Sequence, residues 1–332
     1  ASMTRFVLGS LFLNCQDQIY SEEYSDFIGN RSLIESKYAL DCKQPLGAMF
    51  ASLYLKLSDG YEDGTVYGYY NIPKLFGLQD TGSMEASGIL QVREKPDLKL
   101  DGSGVLIGFV DTGIDYAGSI FLKQDGTTRV IAIWDQTIPA GSPIRLPAQP
   151  ELPETPENIT RTPEGFLYGS EFTHEQLNAA VKMADAYEGI SSRDENGHGT
   201  FLASIAAGNE LPDGSFTGAA PKADIAMVKL KPAKNRLRAY YQIKEDAVAY
   251  QENDIMAGVL YLVSLAKKRQ QPLVICLGLG TNAGSHRGGL PLARMLEELG
   301  SSVGITIVAG TGNETARGHH FEGQISSENG YE

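Results

Sequence analysis

The stretch from Val105 to Asp115 reads Val-Leu-Ile-Gly-Phe-Val-Asp-Thr-Gly-Ile-Asp and decides the fold class. Its uninterrupted apolar run is typical of a strand that is buried on both faces of a parallel sheet. Asp111 stands at the carboxyl end of this strand, the edge where open α/β sheets collect ligand and catalytic groups. Gly113 permits a tight turn there, so the carboxylate can be aimed at a partner. We therefore predict an α/β protein with a doubly wound parallel sheet. For Asp111, the alternative to a catalytic role is that its side chain forms a turn or caps a helix.

A second stretch, from Asn196 to Gly208, places a histidine at the entrance of a short buried helix. It reads Asn-Gly-His-Gly-Thr-Phe-Leu-Ala-Ser-Ile-Ala-Ala-Gly, with apolar residues at helical spacing and a glycine at its end. His198 could take a proton from a nucleophile while Asp111 holds its tautomer and stabilises the imidazolium. The alternative is a structural histidine that caps a core helix.

The two stretches, in the order Asp before His, resemble the signatures of the subtilisin-like serine proteases, peptidase family S8. The resemblance covers most of residues 10 to 320 and implies a subtilisin-like fold and an Asp-His-Ser triad that cleaves peptide bonds. Shorter motifs are similar to the clostridial Csp-like group of germination proteases. These motifs are Trp134–Thr137, Gly165–Gly169, Val228–Ala233 and Ala249–Asp254.

The resemblance also implies two segments that contact substrate, each following an apolar strand, at 273–277 and at 305–309. In the family, the first segment pairs with the substrate backbone and forms a wall of the primary specificity pocket. Asn313 resembles the asparagine that donates to the oxyanion, with a turn-forming asparagine as the alternative. The predicted substrate-binding residues are Gly278, Leu279, Gly280, Gly310, Thr311 and Gly312.

No serine in the chain can be assigned as the nucleophile by motif. The family carries it in a Gly-Thr-Ser signature, and the pairs that begin at Gly126, Gly199 and Gly310 do not continue to serine. We therefore expect the serine on a C-terminal chain or segment. The sequence favours a serine endopeptidase that acts on peptide or protein substrates, with proprotein processing in spore germination as its role. The alternative is a pseudoprotease or prodomain-inhibited fragment that acts as a binding or regulatory protein.

The domain organisation predicted from the sequence is an N-terminal unit over residues 1–70 and a catalytic unit over residues 71–332. A strand-like stretch at 49–55 and a helix-like stretch at 32–38 give the first unit an α+β character, which resembles a prodomain and makes it a partner of the catalytic unit. The apolar run at 6–13 is predicted to be its first strand, and processing is expected just before Ile72. Residues 137–190 are predicted to be a surface insertion because seven of the 15 prolines fall within 137–165. A helix is expected at 173–187.

Charge and composition exclude several classes of partner. The net charge of −13 argues against nucleic acids and anionic membranes, which attract basic surfaces. No apolar run is long enough to span a membrane, so the sequence favours a soluble protein, secreted or spore-associated.

The cysteine and histidine content predicts neither a disulfide framework nor a metal site. The three cysteines are few and odd in number, so we expect no disulfide framework. Adjacent His319 and His320 lack a recurring ligand spacing and are assigned to a polar loop. Catalysis is expected to need no cofactor, although the family resemblance implies a structural calcium ion for which the sequence shows no ligand set.

Overall fold

The computed structural model describes residues 15–37, 42–56, 71–78, 100–147, 159–212, 216–284 and 287–313. In chain order the described helices are α1 (Cys15–Tyr20), α2 (Arg31–Lys37), α3 (His174–Val181), α4 (Ala186–Gly189), α5 (His198–Ala207), α6 (Asn235–Tyr240), α7 (Glu252–Arg269) and α8 (Pro291–Gly300). The described strands are β1 (Tyr24–Asn30), β2 (Lys43–Leu46), β3 (Phe50–Lys56), β4 (Leu75–Leu78), β5 (Leu106–Asp111), β6 (Val130–Asp135), β7 (Ser170–Thr173), β8 (Asp224–Lys229), β9 (Tyr250–Gln251), β10 (Leu273–Leu277), β11 (Leu279–Gly280) and β12 (Ile305–Ala309).

A six-stranded sheet in the order β12-β10-β5-β8-β6-β7 forms the centre of the larger unit. Its strands are parallel except at the β6-β7 edge. Alternate residues of β5 enter two different cores: Val110 packs with the residues of α7, and Phe109 packs with Leu202 of α5. Helices on both faces explain why β5 is apolar up to its last residue, Asp111. The predicted α/β sheet is confirmed.

The smaller unit is an antiparallel sheet in the order β1-β3-β2, accompanied by α1 and α2. Cys15 and Cys42 form a disulfide within it, which corrects the expectation that disulfides do not contribute to holding this chain together. The third cysteine, Cys276, is free and lies on β10 of the larger unit. The predicted strand at 6–13 and the pair His319 and His320 lie outside the described residues.

The small unit is fixed to the larger one by a buried carboxylate. Asp26 of β1 forms an ion pair with Lys234, and both side chains are almost fully buried. The other Asp26 oxygen accepts from Gln251 Nε2 at 2.9 Å and from Asn253 Nδ2 at 3.1 Å. Because its charge is paired and hydrogen-bonded, Asp26 can be buried at this junction.

The predicted surface insertion contributes to the core. Strand β7 extends the sheet, and Tyr168 and Leu177 are fully buried. The single helix expected at 173–187 is two helices, because Asp185 adopts an extended conformation and caps α4 by accepting from Tyr187 N. Within the described ranges, no helix is long and apolar enough to cross a membrane.

Candidate active site

The sheet and α5 bring the two predicted catalytic residues into direct contact. Asp111 ends β5 and His198 begins α5, and the histidine Nδ1 lies 2.8 Å from Asp111 Oδ1. The Asp111 side chain is 1% exposed and that of His198 is 12% exposed. A carboxylate can only accept, so Nδ1 carries the proton and Nε2 is the basic nitrogen of the neutral ring.

Glycine beside the histidine allows α5 to approach the end of β5. A Cβ atom at Gly199 would lie 2.2 Å from the carbonyl oxygen of Gly113 and 3.2 Å from Asp111 Cβ. Gly113 itself has a φ of +128°, which side chains rarely tolerate. The glycines therefore set the short distance between histidine and carboxylate.

Asp194 organises the loop that leads into α5, and the sequence analysis missed it. Its Oδ1 accepts from Thr112 Oγ1 at 2.8 Å and Gly197 N at 2.9 Å. Its Oδ2 accepts from Thr200 N at 2.8 Å and Thr200 Oγ1 at 2.6 Å. Burial raises the pKa of Asp194, but these hydrogen bonds outweigh it and hold the pKa below its usual value. A carboxylate shortly before a helix entrance is the signal that could have revealed it.

The first predicted substrate segment forms a wall against the Asp111-His198 pair. A Cβ atom at Gly278 would lie 3.0 Å from His198 Cε1, 3.2 Å from Asp111 Oδ2 and 2.3 Å from Leu202 Cδ1. The backbone at the end of β10 therefore approaches the imidazole as closely as a residue without a side chain permits.

The edge predicted to pair with substrate is occupied by the chain itself. Strand β4 lies between β9 and β11 and is antiparallel to both, with Gly77 opposite Gly280 and Leu78 opposite Leu279. The catalytic unit was predicted to span residues 71–332, with processing just before Ile72, and both bounds stay predictions. The segment that follows Ile72 pairs with β9 on one side and with β11 on the other.

The second predicted substrate segment lies at the same edge of the sheet. Strand β12 runs parallel to β10, and Gly310 N donates to Leu277 O at 3.1 Å. Gly312 turns the chain with a φ of +99°, while Thr311 and Asn313 are exposed. Asn313 thus follows a strand whose carboxyl end lies on the Asp111 side, and its oxyanion role stays a prediction.

The free cysteine of β10, Cys276, cannot replace a serine as the nucleophile. Burial, together with the negative charge of Asp111, raises the pKa of Cys276 to about 11. The thiol is therefore neutral at pH 7, whereas a reactive cysteine needs its thiolate form.

Metal binding finds no support in the described ranges. They hold no group of three or more histidine, cysteine or acidic side chains arranged to bind an ion. Calcium also takes backbone and amide oxygens as ligands, so the structural calcium ion implied by the family resemblance stays a prediction.

Comparison with known proteins identifies the family. The family described as Peptidase S8, subtilase family, matches residues 102–331. The chain is a subtilase. This match covers both strands that lead into the site and α5, and it confirms the resemblance drawn from the sequence.

The relatives of this subtilase are longer proteins. It is 30% identical over 144 residues to Subtilisin-like protease SBT3.8 of Arabidopsis thaliana, covering 39% of this chain and 16% of that protein. It is 31% identical over 136 residues to Subtilisin-like protease SBT2.2 of the same plant, covering 39% of this chain and 15% of that protein. The solved CspB protease of Clostridium perfringens matches with a TM-score of 0.53 and 29% identity over 70% of this chain and 41% of that chain.

Proposed function

We propose that this subtilase is a serine endopeptidase in which Asp111 orients His198 and His198 activates a serine carried by a segment outside the described residues. The observation that carries the proposal is the 2.8 Å contact between His198 Nδ1 and the buried Asp111 carboxylate. A buried carboxylate that accepts from Nδ1 fixes the tautomer in which Nε2 is basic, and it stabilises the imidazolium that forms when Nε2 takes a proton.

The proposed reaction uses these residues in two matched steps. As the serine Oγ attacks the peptide carbonyl carbon, its proton passes to His198 Nε2, and Asp111 stabilises the resulting imidazolium. Asn313 donates to the developing oxyanion. The intermediate expels the amine, which takes the proton from Nε2, and water then releases the acyl group by the same route.

The β12 edge of the sheet is open for pairing with a further segment of the chain. Among the described strands β12 is the last on its side, and Val308 of that strand is 52% exposed. An open edge with apolar side chains favours pairing and burial against more chain. We place the serine-bearing segment against this edge.

The N-terminal unit is proposed to be a prodomain. Asp26 anchors it at Gln251 of β9, the strand that also holds β4 in the groove. An extended segment that pairs on both sides is bound as a substrate peptide would be. Because β4 pairs along the groove through Leu78, we expect maturation to cut the chain on the C-terminal side of Leu78 and not before Ile72.

The substrate is proposed to be a proprotein that is processed in spore germination. This part rests on the similarity to the CspB protease of Clostridium perfringens and on the motifs shared with the Csp-like group. A binding or regulatory protein is the second candidate, and the occupied groove favours it, because a cleft that keeps β4 cannot admit substrate.

Mapping the N-terminus of the native protein tests the proposal. We expect the wild type to be cut on the C-terminal side of Leu78 and the His198→Ala variant to remain intact. His174→Ala is the matched control, because this histidine contacts Thr128 O at 2.9 Å, away from Asp111. Equal cutting in the His198→Ala variant would contradict self-processing, and an uncut wild type would support the binding protein.

A further inference from the structure

The carboxylate of Glu252 lies at the end of the groove that β4 occupies. Strand β9 leads directly into α7, so Glu252 follows Gln251, the residue that pairs with Leu75. Glu252 N donates to Lys74 O at 2.8 Å, and Glu252 Oε2 accepts from Lys74 N at 3.2 Å. One residue thus binds both the carbonyl and the amide of Lys74, which stands one position before β4. The groove therefore extends one residue beyond the paired strands.

Lys74 and Glu252 are both fully buried, although each carries an ionisable group. The Lys74 ammonium donates to Ile72 O at 2.5 Å, and Glu252 Oε1 accepts from Leu292 N at 3.0 Å. Burial lowers the pKa of Lys74 and raises the pKa of Glu252, and in each case the charge of the other group opposes the shift. The two opposite charges therefore stabilise each other in a place that is shielded from solvent.

An extended peptide that adds to a sheet gains affinity from its backbone and specificity from the sites that receive its side chains. We propose that Glu252 is a specificity residue of the groove and selects peptides with lysine four positions before the residue that pairs with Leu279. In the chain's own segment these two residues are Lys74 and Leu78. The inference rests on the proposed peptidase function and names its substrate class: extended segments with a basic residue at this distance on the N-terminal side of the cut.

The burial of Glu252 makes its carboxylate selective for a positive charge. Removing one member of a buried pair of opposite charges is costly, because the other charge is left uncompensated. Replacing both members by neutral groups of similar size is much less costly. A peptide with an uncharged side chain at the Lys74 position should therefore bind weakly to the wild-type groove and regain affinity when Glu252 is also neutral.

A double-mutant cycle read by hydrogen exchange tests this recognition without catalysis. The measurement uses the whole His198→Ala protein, in which the chain is expected to stay uncut. We expect Lys74→Met and Glu252→Gln each to speed exchange of the amides at 75–78 by about tenfold, and the double variant to exchange no faster than either single one. An additive effect of about 100-fold, or no change in either single variant, would overturn the proposal.

Matched controls show whether the effect is local. Lys123→Met and Glu298→Gln replace the same residue types at exposed positions and should leave exchange at 75–78 unchanged. Exchange in β5 should be the same in all variants, because this strand lies in the central sheet and does not pair with β4. If Glu252→Gln unfolds more generally, the two peptides described next decide the question with the wild type alone.

Two peptides separate this inference from the peptidase function itself. One copies residues 71–82 of the chain, and the other carries the Lys74→Met change. After maturation, we expect the wild type to cleave the lysine peptide with a kcat/KM about tenfold higher, and Glu252→Gln to cleave both peptides at equal rates. Equal cleavage of both peptides by the wild type would overturn the proposal and leave the peptidase function standing. Cleavage of neither peptide would count against the peptidase function, and the exchange cycle would still decide whether Glu252 recognises Lys74.

Discussion

Replacing Asp194 with asparagine would remove the carboxylate that holds the loop before His198. The wild-type side chain accepts four hydrogen bonds, two at each oxygen. Asparagine keeps one oxygen and turns an NH₂ group toward the donors on the other side. Two bonds to a charged acceptor are lost, at about 1.5–3 kcal/mol each. Partial relaxation brings the expected loss to about 3 kcal/mol, or about 8 °C in the unfolding midpoint.

The loss of stability caused by Asp194→Asn should become smaller as the pH falls. The pKa of Asp194 is lower in the folded protein than its usual value, so its stabilising contribution is present above the unfolded pKa of about 3.9. That contribution is lost as the pH falls through the lower folded value. The difference between wild type and Asp194→Asn should therefore be full at pH 7 and shrink below about pH 4.

Thermal unfolding at several pH values provides the assay. Asp246→Asn is the matched control, since Asp246 is exposed. The reasoning is refuted if Asp194→Asn and Asp246→Asn unfold at the same temperature at pH 7, or if the Asp194→Asn difference grows in acid.

Two further predictions concern the wall of the site and the attachment of the N-terminal unit. In Gly278→Ala, the new Cβ atom would lie 3.0 Å from His198 Cε1 and crowd the imidazole. We expect kcat/KM to fall by about 100-fold while the circular dichroism spectrum shows an intact fold. Activity equal to that of the wild type would contradict the close approach of Gly278 to His198. Asp26→Ala should leave Lys234 buried without its carboxylate, at a cost of about 3–5 kcal/mol, and release the N-terminal unit in gel filtration after cleavage. The exposed Asp17→Ala is its control, and identical elution of the two variants would count against the anchor.

The elements that the sequence predicted best are those with local apolar patterns. The strand expected at 273–277 and the one at 305–309 have the observed bounds. The first is a continuous apolar run inside the sheet, and the second is apolar except for Thr306. The contact between Asp111 and His198 could also be predicted. Asp111 ends an apolar strand, His198 begins a short helix, and their order resembles the subtilisin-like signatures.

The remaining features depend on distant parts of the chain. Strand β4 is short, and only its pairing with β9 and β11 gives it a role. The disulfide joins cysteines whose proximity follows from the small sheet. Asp194 gains its importance from Thr112, which is 82 positions away in sequence. Local propensity carries no information about such contacts.

The most direct test of the central claim is labelling of the native protein with a serine-directed fluorophosphonate. If Asp111 and His198 activate a serine, the wild type and His174→Ala should be labelled at the same rate. Labelling should be lost in His198→Ala and slowed by about 10⁴-fold in Asp111→Asn, which keeps the shape but reverses the tautomer. Labelling of His198→Ala at the wild-type rate would contradict the account.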